Sequence, residues 1–317
     1  MEQKAYIGYS SEDDIRLKAT SGGIGTSIVK FLFDQKKIDF ALSFEFNPQN
    51  LRYFPTFVTN FRDYNISGSV YQEMDMVSFY RRTLDKSLYG KRIALFTLPC
   101  QTPLVKNLAI KNNISLYIIG LTCSSQQNLE ATDYLLKRYR INKSDILSIQ
   151  YRGNGWPSGI QIKLHNTKEV FIKNNGSLWT QIFHSRLFIP ERCFKCQDTL
   201  NRNCDILLAD PWLREYISTE KKGKTIFAIY TETGETLLQE LLEKKYIYAE
   251  SIPNENLLKS QKSTIQRKQN YKKNPKLRDL LILVNHNKLY HKLIWLHPFF
   301  FKLHIKIKNS LEHNMNK

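Results

Sequence analysis

The residues of this sequence best suited to chemistry are its cysteines. Cys193-Phe194-Lys195-Cys196 forms one C-x-x-C pair, while Cys100 and Cys123 stand upstream in Pro99-Cys100-Gln101 and Leu121-Thr122-Cys123. Two single thiols and one pair supply the four ligands that a zinc ion or an iron–sulfur cluster takes, and the spacing alone leaves both open. Arg192 and Lys195 flank the pair, and such positive charge favours thiolates and an anionic cluster. The fifth cysteine, Cys204, opens an apolar strand-like run beside Asp205 and reads as a structural residue rather than a substitute ligand. The rival reading of Cys100 is a lone nucleophile, but no histidine stands near it in sequence to act as its base.

Three further groups of residues invite a ligand. Thr20-Ser21-Gly22-Gly23-Ile24-Gly25-Thr26 precedes a helical pattern. Its glycines permit a close backbone approach, and free N–H groups at a helix start favour an anion such as a flavin or dinucleotide phosphate. It is not a G-x-G-x-x-G following a strand, so an ordinary dinucleotide fold is not indicated. Tyr151-Arg152-Gly153-Asn154-Gly155-Trp156 breaks a strand and either exposes an arginine for a carboxylate or phosphate and an indole for stacking, or is a hairpin turn with a core tryptophan. Asp210-Pro211-Trp212 places an acid and a second indole after another strand.

Strand and helix patterns alternate in the part of the chain that must position these residues. Ile38–Phe46, Arg92–Thr97 and Ser115–Leu121 read as strands, and 24–35, 103–110 and 129–139 as helices. That alternation predicts an α/β (mixed α+β) fold with a partly parallel sheet. If 92–97 and 115–121 are parallel neighbours, Cys100 and Cys123 leave the sheet at one carboxyl edge, where open α/β sheets bind ligands. From Ile146 onward short strands separated by turn residues predict a meander, and 205–209 and 224–230 read as further strands. The expected division is residues 1–254 as an oxidoreductase-like domain and 255–317 as a basic helical extension.

With 317 residues, 42% of them hydrophobic, the chain can bury a sizeable core. The N-terminal segment lacks the apolar run of a secretory signal, and no apolar stretch is long enough to span a bilayer. The expectation is a soluble cytoplasmic protein. An odd number of cysteines in a chain this long argues against a disulfide framework. The net charge is +18, and residues 251–317 carry 14 Lys and Arg against three acids. Such a tail suits anionic partners, with an anionic membrane surface as a peripheral docking site; no recognition helix, finger or RNA-binding motif points to nucleic acid. The aromatic patch at 293–301 (LIWLHPFFF) either lies on that membrane or packs on the body. The histidines of the tail read as surface decoration.

Taken in order, these blocks resemble the coenzyme F420 hydrogenase/dehydrogenase beta-subunit family, over about Arg16 to Ile252. Ala19-Thr20-Ser21-Gly22-Gly23 is similar to its S-G-G opening, Gly68-Ser69-Val70-Tyr71-Gln72 to its G-S-x-Y block, and Pro99-Cys100-Gln101 to its P-C-Q. Cys193-x-x-Cys196, Asp205-Ile206 and Asp210-x-Trp212 resemble its C-x-x-C…D-I…D-x-W ending. The bacterial members that accompany polysaccharide biosynthesis are the most similar. The resemblance implies a flavin-containing iron–sulfur oxidoreductase or electron-transfer subunit. Cys100, Cys123, Cys193 and Cys196 would hold a [4Fe-4S] cluster. Ser21, Gly22, Gly23, Ser69 and Tyr71 would line a site for FAD or another flavin, with Arg152 and Asp210 as further contacts. Many relatives carry a ferredoxin-like module that this sequence lacks, so electrons are expected from a partner such as a ferredoxin and pass to a small-molecule acceptor. Cys123-Ser124-Ser125 stands where C-H-G is common. The alternatives are a non-catalytic scaffold stabilised by zinc or a cluster, and a basic membrane-binding module.

Overall fold

The computed structural model describes residues 4–174 and 176–314. Its strands are β1 (Lys4–Ser10), β2 (Phe40–Asn47), β3 (Arg52–Val58), β4 (Arg92–Thr97), β5 (Ser115–Leu121), β6 (Ile146–Gln150), β7 (Gly159–Leu164), β8 (Glu169–Lys173), β9 (Ile206–Ala209), β10 (Thr225–Ile229) and β11 (Ile247–Ile252). Eight of them form one sheet in the order β11-β1-β10-β9-β5-β4-β2-β3, and β6-β7-β8 form an antiparallel meander.

The most continuously apolar runs take the centre of the large sheet, because strands covered on both faces cannot afford polar positions. β9 (ILLA) and β10 (TIFAI) are buried at every residue. β2, β4, β5 and β9 run parallel, with Arg92 opposite Ser115 through to Thr97 opposite Gly120 between β4 and β5. Antiparallel strands close both sides, β3 on one and β10, β1 and β11 on the other. The carboxyl ends of β1, β4, β5 and β9 therefore share an edge with the amino end of β10.

The mixed α/β fold with a partly parallel sheet and a strand meander is as expected, and β4, β5 and helix Leu129–Tyr139 fall on their expected bounds. Strands β1, β3 and β11 have no clear signal in sequence. They sit toward the sheet's margins, where burial is partial, and β3 carries Pro55.

Beyond β11 come helices Asn254–Ser260, Lys262–Lys273, Pro275–His286, Lys288–Leu296 and Pro298–Asn314. Leu257 joins the core beside Ile7 and Ile226. Ile294 and Phe301 pack with Trp179 and Phe188, and Tyr271 and Leu281 pack with Phe194 and Ile189. The aromatic patch thus divides: Ile294 and Phe301 go inward, while Leu293, Leu296 and Phe299 stay exposed. His304 is a correction to the expected surface role. It is buried, bonded to the Ser185 carbonyl at 2.9 Å and to the Tyr290 hydroxyl at 2.9 Å, and burial lowers its pKa.

Candidate functional site

The turn after β4 is built by a buried polar network. The Thr97 and Thr102 hydroxyls meet at 2.8 Å, Thr102 donates to Asn201 Oδ1 at 2.9 Å, and the Asn201 amide returns a bond to the Thr97 carbonyl at 3.0 Å. The Leu98 N–H donates to Gln101 Oε1 at 2.9 Å. This frame holds Pro99-Cys100 just ahead of helix Thr102–Asn112 and leaves Cys100 exposed. Cys123 follows β5, its N–H donating to the Thr199 carbonyl at 3.0 Å. Cys193 lies in the short helix Glu191–Lys195 and Cys196 caps its end.

Cys100, Cys123, Cys193 and Cys196 line one cleft of about 1390 Å³ at the sheet's carboxyl edge. Cys100 keeps an open face toward the cleft, but the packing behind its thiol desolvates it and, with the nearby Cys196 and Cys193 sulfurs, pushes it up; burial pushes Cys123 up to about 12. Among the described residues no group of three or more His, Cys, Asp or Glu side chains closes around a single point. The donor set nevertheless fits a tetrathiolate group in type and number: four cysteines line one cavity, close enough for their thiols to influence one another's ionisation. Cys204 stands apart and fully buried. Its thiol donates to the Asn201 carbonyl at 2.8 Å, and a Cβ at Gly120 would fall 2.4 Å from its sulfur.

Two basic residues of the C-terminal extension bond to the segments that carry Cys123 and Cys196, and no motif in the sequence pointed to them. Lys268 is buried and donates to the Cys123 carbonyl at 3.0 Å and to the Asp198 carbonyl, with Nζ 3.5 Å from Cys196 Sγ. Arg267 donates to the Ser124 carbonyl at 3.1 Å and its hydroxyl at 3.0 Å. The sequence signal for both was charge alone, spread over a tail rich in lysine.

At the other end of the cleft Gly23, in the left-handed conformation at φ 79°, caps helix Ile24–Asp34 without a side-chain bond, and residues 23–26 line the cavity. An anion there would meet unsatisfied N–H groups and the helix dipole. Ser21 also lines the cleft, its hydroxyl 3.1 Å from that of Thr225; Ser69 and Tyr71 line it as well, Ser69 accepting from Thr20 at 3.0 Å. Gly22 has another reason to be glycine. A Cβ there would sit 2.6 Å from the Gly8 carbonyl oxygen and 2.6 Å from the Thr225 nitrogen, so the chain's own strands, not a ligand, make the close approach.

Arg152 and Trp156 are both buried, so of the two readings of this segment the core tryptophan holds and the exposed arginine does not. The Arg152 guanidinium pairs with both Asp210 oxygens at 2.7 and 3.0 Å, and donates to the Thr20 carbonyl at 3.0 Å and the Tyr71 hydroxyl at 3.3 Å. Trp156 Nε1 adds a bond to Asp210 at 3.0 Å. Burial opposes the guanidinium's charge, but Asp210 outweighs it and the pKa is raised. Arg152 thus ties the segments around Thr20, Tyr71 and Asp210 into one wall, because each turns at the same sheet edge.

Residues 90–255 match the family model for the C terminus of the coenzyme F420 hydrogenase/dehydrogenase beta subunit, and residues 5–80 match the model for its N-terminal part. The chain belongs to this beta-subunit family. It is 26% identical over 243 residues to the F420-dependent formate dehydrogenase subunit beta of Methanocaldococcus jannaschii, covering 75% of this chain and 59% of that one. It is 24% identical over 259 residues to F420-dependent formate dehydrogenase 1 subunit beta of Methanococcus maripaludis, covering 78% and 61%. The chain thus spans about three-fifths of those relatives. In fold it is similar to a chain of the F420-reducing [NiFe] hydrogenase complex from Methanosarcina barkeri, with a TM-score of 0.62 at 13% identity, covering 84% of this chain and 89% of that one. No helix among the described residues is long and apolar enough to cross a membrane.

Proposed function

We propose that this chain is a flavin- and iron–sulfur-dependent electron-transfer subunit of an oxidoreductase, the flavin being FAD or a close relative. The observation that carries the reading is one cleft whose wall holds Cys100, Cys123, Cys193 and Cys196 and whose floor holds the open helix start at Gly23. When bound, a flavin exchanges hydride or single electrons and a [4Fe-4S] cluster relays single electrons. The chain's own residues do the rest. Helix N–H groups at 24–26 and the Ser21 and Ser69 hydroxyls suit a pyrophosphate. The four sulfurs suit the cluster. The Arg152–Asp210 pair holds the wall between them rigid. The cleft's volume leaves room for a small-molecule acceptor such as a deazaflavin, and electrons would come from a partner protein such as a ferredoxin.

The test is anaerobic purification with iron, sulfide, zinc and flavin assays and an absorption spectrum before and after dithionite. Iron, sulfide and released flavin are expected, with the visible shoulder bleached on reduction. Cys193→Ser and Cys196→Ser should abolish loading while Cys204→Ser retains it. Zinc alone, or no cofactor after anaerobic reconstitution, sinks the reading in favour of a scaffold.

A second reading concerns where such a subunit works. Leu289, Leu293, Leu296, Phe299, Leu303 and Ile307 are exposed on the last two helices, with Lys288, Lys292, Lys302 and Lys306 exposed among them. That combination suits an anionic lipid surface, and vesicle co-sedimentation tests it.

A further inference from the structure

Lys268 is an ammonium with 3% of its surface exposed. Its contacts are two carbonyl oxygens and the sulfur of Cys196. Among the described residues no carboxylate pairs with it. Burying a charge without an opposite charge is strongly unfavourable. Its neighbours deepen the surplus. Arg267 is held by Ser124. Arg186 is buried with 3% of its surface exposed, donates to the Ser125 hydroxyl at 3.1 Å, and leaves Nε without a partner. Glu312 is the acid within reach of both arginines, and it is already engaged by Lys308 at 2.9 Å and by Tyr271 at 2.7 Å. Lys268 on the wall, with Arg186 and Arg267 behind it on Ser125 and Ser124, makes a surplus of buried cations that calls for an anion, and the four cysteines of that wall are its natural source.

We propose that helix Lys262–Lys273 is the electrostatic lid of the four-cysteine site, with Lys268 as a positioning and tuning residue that offsets the net negative charge of a tetrathiolate cluster. The inference rests on the cofactor reading above. It also goes past the matched family regions, which end at residue 255, so a segment outside them completes the site. The same helix and the turn before it supply Gln261, Ser263 and Thr264 to the cleft lining, and Gln261 donates to the Asp210 carbonyl at 3.0 Å. A cation beside an anionic cluster favours adding an electron, so it raises the reduction potential.

The experiment uses the full chain, reconstituted anaerobically, as wild type and as Lys268→Met, Lys268→Gln and Lys268→Arg. Iron and sulfide per chain are measured, followed by a potentiometric titration monitored by electron paramagnetic resonance. Both neutral variants should still bind iron but reduce at a more negative potential than wild type, and Lys268→Arg should stay close to wild type. Neutral variants loaded at the wild-type potential overturn the proposal, as does an arginine variant displaced as far as they are. If neither neutral variant folds, Arg267→Gln replaces them, with a shift in the same direction required. A wild-type chain that takes up no iron brings down the cofactor reading itself, a result distinct from loaded variants with unchanged potential.

Discussion

A guanidinium with 2% of its side chain exposed must have its charge met inside the protein, and Arg152 meets it on Asp210. The pair is bidentate, and Trp156 adds a third bond to the same carboxylate. Removing one member of such a pair leaves the other charge stranded in low dielectric. Asp210→Asn keeps the volume and loses the charge, so it should destabilise the fold by on the order of 3 kcal/mol. Urea unfolding followed by circular dichroism measures this. A midpoint equal to that of wild type would show that Asp210 is free for a ligand rather than committed to Arg152.

The elements meet so closely that glycine is required at their contacts. The turn through Gly22 is pressed between β1 and β10, and the Ser10 N–H donates to the Gly22 carbonyl at 2.7 Å. The first turn of helix Ile24–Asp34 lies on the sheet at Gly25, where a Cβ would come 2.8 Å from the Phe96 ring. Gly22→Ala must push backbone against backbone, and overpacking of this kind costs about 1–3 kcal/mol. Thermal denaturation should show the loss. An alanine variant as stable as wild type would mean the turn shifts freely, and the helix start would then not be a rigid part of the cleft. The parallel register of β4 and β5 acts at the same scale: with Thr97 opposite Gly120, Cys100 and Cys123 leave the sheet side by side.

For the whole molecule the question is what the C-terminal helices do. Their inner faces complete the body's core and bring Lys268 to the cleft, while their outer faces carry leucines, Phe299 and lysines to solvent. Each lysine near an anionic bilayer contributes about 1 kcal/mol, an attraction that fades within the Debye length. Co-sedimentation with phosphatidylserine vesicles should be strong at low salt, fall steeply as salt rises, and be absent with neutral phosphatidylcholine. Equal recovery with both lipids, or with neither, would sink the membrane reading and turn attention to a protein partner on that face.

Much of this arrangement was written in local pattern. Short apolar runs bounded by turn residues made β4, β5, β9 and β10 legible, and the β4–helix–β5 alternation put Cys100 and Cys123 at one edge on the condition that the two strands were parallel neighbours, which they are. The C-x-x-C pair and its two single companions suggested a four-thiol set by residue type, and all four cysteines line one cleft. What no local pattern contained was the set of contacts made across long sequence separations. Arg152 looked like an exposed ligand contact because its partner Asp210 lies 58 residues away. Gly22 looked like a phosphate cradle because Gly8 and Thr225 approach it only in the folded sheet. Lys268 looked like one more charge in a basic tail because Cys123 and Cys196 stand 145 and 72 residues before it. Residue type and periodicity are properties of neighbours along the chain, whereas burial of a charge and pairing across a sheet edge exist only once distant segments have packed.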